Sequence, residues 1–100
     1  MRFLVVTKSR TPAPPDPSIV DAMTAWLDQH ESKMEQSWSF AGLNGGGGIL
    51  NVESLEELDD IMAGFPFGQF STIEVYGLAD LRRSLGNTRT LMSQMAGAQG

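Results

Sequence analysis

The spacing of apolar and polar positions changes several times along the chain, and each change marks an element. Arg2–Lys8 holds a continuous apolar run, Phe3-Leu4-Val5-Val6. Such a run predicts a strand covered on both faces. Ser9–Pro15 is a proline-rich loop with no helical option. Asp16-Pro17 reads as a helix start, with Asp as N-cap and Pro in the first turn. Val20, Met23, Leu27, His30 and Met34 then recur at helical spacing to about Gln36, widened by Ile19 and Trp26. Ser37–Leu43 switches to a period of two. Trp38 and Phe40 alternate there with Ser37, Ser39 and Ala41, which predicts a half-polar strand. Asn44-Gly45 predicts a hairpin turn, and Gly45–Gly48 a flexible connection into the next apolar run.

Residues 48–78 carry the sharpest punctuation. Ile49, Leu50 and Val52 make a short strand. Ser54 stands at a helix N-cap, and Glu57 three residues later completes a capping box. Leu55, Leu58, Ile61, Met62 and Phe65 follow at helical spacing until Gly64 and Pro66 stop the helix. Phe70–Tyr76 alternates as a strand. The order β-α-β-β-α-β in about 80 residues predicts an α+β, ferredoxin-like subunit, a four-stranded antiparallel sheet with both helices on one face. Residues 1–78 form its core, within a single domain spanning 1–100. Residues 79–100 form a helical tail for oligomer contacts, with Leu81, Leu85, Met92 and Met95 in a looser pattern that Gly86-Asn87 divides in two.

Two helices on one face leave the other face of the sheet bare. Exposed apolar area of that extent marks an interface. Two such sheets packed face to face make a homodimer with a cavity between them, a dimeric α/β barrel.

Composition narrows the function. At 41% hydrophobic and 19% charged residues the chain is globular, and its net charge of −5 argues against nucleic acid. The seven basic residues are scattered, so no membrane patch is expected. The absence of cysteine excludes disulfides and thiol chemistry. With no signal-like N-terminus and no long apolar run, a cytoplasmic location is expected.

Candidate chemistry is sparse. Alternation in the last strand sets Ile73 and Val75 toward the helices and Thr72, Glu74 and Tyr76 toward the inter-sheet cavity. Glu74 in an apolar cavity suits a general acid or base, and Tyr76 suits stabilisation of an enolate oxygen. A carboxylate at the barrel mouth paired with a base is the plainer alternative. Trp38 and Phe40 either wall the pocket or fill the core beneath the helices. Phe65, Phe67 and Phe70 either fill the core or rim the pocket. His30, the one histidine, lies on the helix stripe and reads as a packed side chain with no second ligand for a metal. The acids Asp21, Asp28, Glu31 and Glu35 read as a solvated face.

The segment FPFGQFSTIEVYGL and the preceding VESLEELDDIM resemble the corresponding part of the muconolactone isomerase-like family, and Phe3, Val5 and Pro12 fit its opening strand. The resemblance implies a dimeric α/β barrel with a cofactor-free, metal-free pocket in each subunit and a small-molecule substrate. It differs at the first strand, where Leu4 and Val6 stand in place of polar residues and Lys8 is the nearest base. The implied lining of Leu4, Val6, Lys8, Trp38, Phe40 and Thr72 suits a larger, less charged ligand than an anionic lactone. The expectation is an isomerase or cyclase of an unsaturated or polycarbonyl metabolite, acting by proton shift and preorganisation. The alternative is a non-catalytic binding or assembly protein on the same dimer.

Overall fold

A computed structural model describes residues 1–99; Gly100, the last residue of the expected tail, lies outside the described residues. The elements are β1 (Arg2–Ser9), α1 (Pro17–His30), β2 (Met34–Ser39), β3 (Gly45–Asn51), α2 (Leu55–Ala63), β4 (Ser71–Leu78) and α3 (Leu81–Gln99). Short 3-10 turns at Glu31–Lys33 and Gly68–Phe70 join α1 to β2 and lead into β4. The sheet runs β2-β3-β1-β4 with every neighbouring pair antiparallel. This is the ferredoxin-like plan expected from the element order.

Local chemistry sets the helix boundaries. The Asp16 carboxylate accepts the Ser18 N–H at 3.0 Å, and Pro17 opens α1. That hydrogen bond holds the Asp16 carboxyl below its ordinary range. The Ser54 hydroxyl accepts the Glu57 N–H at 3.1 Å, and the Glu57 carboxylate reaches back to the Glu53 N–H at 3.1 Å. The second arm of the box thus lands one residue earlier than the usual pattern. Lys33 lies 3.0 Å from Glu57 and ties the turn after α1 to the start of α2.

The core is Phe3, Val5, Trp26, Leu50, Val52, Leu58 and Ile61. Trp26, read from the sequence as only widening the α1 stripe, is its centre. Its indole N–H donates to the Ile61 carbonyl at 3.0 Å, and its ring meets Phe65 and His30 edge-on at 5.2 and 5.3 Å. His30 is therefore a packed side chain, as expected. Val20 is exposed, so the stripe is tilted from its expected line.

Three expectations need correction. First, α1 ends at His30 rather than near Gln36. The 3-10 turn intervenes and Met34 begins β2, so the strand expected over Ser37–Leu43 starts three residues earlier and ends at Ser39, and Phe40 lies beyond its end. Second, Gly45–Gly48 is not a loose connection but the first half of β3, paired on both sides. The turn lies earlier, where Gly42 takes the left-handed conformation at φ +76°. Third, α3 runs unbroken through Gly86-Asn87. Asp80 caps it by accepting the Arg83 N–H at 2.9 Å, and a single glycine costs a helix only about 1 kcal/mol.

Candidate functional site

Register divides the side chains between two faces. Phe3 and Val5 are buried among Trp26, Leu58 and Ile61, so the odd positions of β1 face the helices. Residues directly opposite in a sheet point the same way. Leu4 is opposite Tyr76, Val6 opposite Glu74 and Lys8 opposite Thr72. These six residues therefore share the bare face. Trp38 joins them, opposite Gly47, which is itself opposite Val6. Phe40, past the end of β2, does not.

On the bare face the Tyr76 hydroxyl donates to the Glu74 carboxylate at 2.6 Å. Ionising the phenol would forfeit that hydrogen bond and set a phenolate beside the carboxylate, which pushes the Tyr76 ionisation above its ordinary value. Both side chains are exposed in the single subunit. Elsewhere on this face Arg2 forms a bidentate pair with Glu35, 2.8 Å at its shortest.

The cavity within the subunit lies on the other side, between the sheet and the helix layer. It measures about 720 Å³. Met23, Trp26 and Leu27 of α1, with Met34 and Met62, form its apolar depth, and Phe65, Phe67 and Phe70 form its rim. All three phenylalanines line the cavity, and Phe65 packs against the core as well. The mouth is held by backbone bonds: Ser9 N–H to the Asn44 carbonyl at 2.7 Å and Arg10 N–H to the Phe70 carbonyl at 2.7 Å. The Arg10 guanidinium adds a bond to the Gln69 carbonyl at 3.0 Å.

The cavity exists because β3 has no side chains along half its length. A Cβ on Gly45 or Gly47 would strike the β1 carbonyls of Thr7 or Val5, the second at 2.8 Å. A Cβ on Gly46 or Gly48 would strike the β2 carbonyls of Trp38 or Gln36, the second at 2.9 Å. This close approach of three strands admits only glycine. It leaves a floor of bare peptide.

Among the described residues no side chain lining the cavity is an acid, base, phenol or imidazole. Its polar groups are the hydroxyls of Thr7, Ser9, Ser37, Ser39 and Ser71 and the Asn44 amide. Thr7 donates to the Gly46 carbonyl at 3.3 Å and Ser9 to the Thr11 carbonyl at 3.1 Å. The hydroxyls of Ser37, Ser39 and Ser71 have no protein partner among the described residues and are open to a ligand. Of the residues predicted from sequence, Trp38 alone borders this cavity, by its place in β2, while its ring lies against Gly47 on the bare face. Leu4, Val6, Lys8, Thr72, Glu74 and Tyr76 are separated from it by the thickness of the sheet. The serines were missed as site residues, although the Ser37–Ser39 alternation with Trp38 already placed them on one face. No group of three or more His, Cys, Asp or Glu among the described residues is arranged to hold a metal. No helix among them is long and apolar enough to cross a membrane.

No family model matches the chain, and no curated protein is similar to it. Solved structures are similar. One is 5-chloro-2-hydroxyhydroquinone dehydrochlorinase (TftG) from Burkholderia phenoliruptrix AC1100, in complex with 2,5-dihydroxybenzoquinone. The likeness has a TM-score of 0.67 at 19% identity, covering 83% of this chain and 98% of that one. Another is muconolactone isomerase, with a TM-score of 0.64 at 27% identity, covering 80% of this chain and 90% of that one. The resemblance read in residues 48–78 thus extends, in fold, over 80–83% of the chain. The chain shares the fold of muconolactone isomerase, built on the ferredoxin-like plan.

Proposed function

We propose that this chain is a small cofactor-independent enzyme, an isomerase or cyclase, that binds a neutral unsaturated or polycarbonyl metabolite between its sheet and its helices. The observation that carries this reading is a cavity of about 720 Å³ with an apolar wall, hydroxyl donors and no ionisable side chain. An anionic substrate would find no cation in such a site, whereas carbonyl and hydroxyl oxygens would find Ser37, Ser39 and Ser71. Catalysis in such a pocket comes from holding a flexible or planar substrate in its reactive conformer and excluding water. The similar solved structures of an isomerase and a dehydrochlorinase support an enzyme of this general kind.

Ligand binding tests the reading. A hydroxyquinone such as 2,5-dihydroxybenzoquinone, and larger polycyclic hydroxyquinones, are titrated against the fluorescence of Trp26 and Trp38. Neutral, larger members should bind more tightly than ionised ones. The double variant Ser37→Leu/Ser39→Leu should weaken binding by about tenfold or more, through loss of two hydrogen bonds and of volume. Undiminished binding would remove the cavity from the function.

A second reading rests on the 2.6 Å bond between Tyr76 and Glu74. If the bare face closes on a second copy, as the homodimer expectation requires, the pair is enclosed and becomes an acid–base unit with Leu4, Val6, Lys8 and Thr72 around it. Glu74→Gln then lowers turnover at least tenfold while the oligomer survives in sedimentation. Unchanged turnover assigns the chemistry to the helix-side cavity. A ligand that binds there without being converted supports the non-catalytic alternative.

A further inference from the structure

The longest unpartnered surface of the molecule is the tail helix. α3 projects beyond β4, carries the subunit to 66 Å in its longest dimension and makes no extensive contact with another element. Leu81, Leu85, Met92 and Met95 are all exposed. At about 100° per residue they fall within one arc of the helix, with Leu91 at its margin. Arg82 and Arg89, one heptad apart, run along one edge of that arc. α3 holds three arginines and no acid, while residues 1–80 hold four bases against all twelve carboxylates, a net of −8.

A surface matching this helix is present on the same chain. Ile73 and Val75 are opposite Thr7 and Val5, on the face where the helices pack, yet they are 37% and 44% exposed. Length explains the gap. The nine residues of α2 span about 14 Å, whereas the eight residues of β4 span about 27 Å. The 19 residues of α3 span about 28 Å, the length of that strand. α2, which leads into β4, exposes Glu56, Asp59 and Asp60 and carries no base.

We propose that α3 of one copy docks on the helix side of β4 in a second copy. Its Leu/Met stripe covers Ile73 and Val75, and Arg82 and Arg89 face the α2 carboxylates. Charge selects this occupant: two α3 helices paired with each other would set arginines together with no counter-charge, whereas the body of another copy supplies it. Reciprocal exchange of two arms closes the assembly as a dimer. This surface is separate from both the cavity and the bare sheet face, so the inference stands or falls independently of the proposed activity.

The absence of native cysteine makes cross-linking a clean test. Val75→Cys protein is mixed with Met92→Cys or Leu85→Cys protein under mild oxidation, with Ile73→Cys replacing Val75→Cys should the latter fail to fold by circular dichroism. The expected product is a mixed disulfide dimer, and its yield should fall several-fold when salt rises from about 50 to about 500 mM. The double variant Val75→Cys/Met92→Cys should give a doubly bridged dimer as its main product. Four results would overturn the proposal: an intrachain bridge in the double variant, Met92–Met92 cross-links as the main product, preferential cross-linking of Met92→Cys to Leu4→Cys on the bare face, or no cross-link at all.

Discussion

The two faces of the sheet divide the resources of the chain unequally. The helix-covered face has volume, apolar wall and hydroxyls, and no side chain along its cavity that ionises. The bare face has the ion pair of Arg2 and Glu35, Lys8 and the bonded pair Tyr76–Glu74, but no second wall within the subunit. Enclosure and ionisable chemistry are separated by one layer of backbone. A site assigned by residue type alone falls on the bare face, and one assigned by shape falls under the helices.

The comparison is broken most severely at Trp26. Trp26→Ala removes an aromatic wall of the cavity and takes one of two donors from the Ile61 carbonyl, which keeps the Gly64 N–H. It should cost about 3–5 kcal/mol in chemical denaturation and abolish ligand binding. A loss below about 1 kcal/mol would show that the covered face is not organised around this ring.

Next in size is the floor. Gly47→Ala places a methyl against the Val5 carbonyl and the Trp38 ring, and should destabilise by about 1–3 kcal/mol. Gly86→Ala, in open space on α3, should instead stabilise by up to about 1 kcal/mol. Equal effects at the two positions would contradict the close approach of the three strands.

The smallest change is on the bare face. Tyr76 is the only tyrosine, so its ionisation can be followed by absorbance without interference. With Glu74 beside it the phenol ionises above the ordinary value, and Glu74→Gln should bring it back toward ~10. The sign of the coupling to folding follows. A raised folded-state value stabilises below the ordinary tyrosine range, and that contribution is lost as pH rises through the raised value. The variant should therefore lack this contribution at neutral pH, converge on the parent in strongly alkaline solution and so show a flatter stability profile there. An unmoved titration would mean that the hydrogen bond does not form in solution.

The fold was legible because its signals are local. Asp16-Pro17 and Ser54–Glu57 cap helices by bonds spanning two to four residues, and the order of elements leaves few topologies open. The end of α1 was not legible. Met34 continues the apolar spacing of the helix while belonging to a strand, and pairing with Leu50 decides between the two. The glycine half of β3 was illegible for a deeper reason. A strand is read from its side chains, and Gly45–Gly48 has none; its conformation is imposed by β1 and β2. The cavity was hidden with it, since the absence of side chains reads as a loop until both neighbours are in place. The faces of β4 were read correctly from alternation, yet alternation does not reveal on which side of a sheet empty space lies.

A glycine ribbon beneath a cavity also restricts how the protein can diversify. Every replacement at those four positions meets a neighbouring strand's carbonyl oxygen, so natural variation cannot reshape the chamber from below. New ligand preferences must be written into the roof and the doorway, in Met23, Leu27, Met62 and the three phenylalanines, while the ground under them stays invariant.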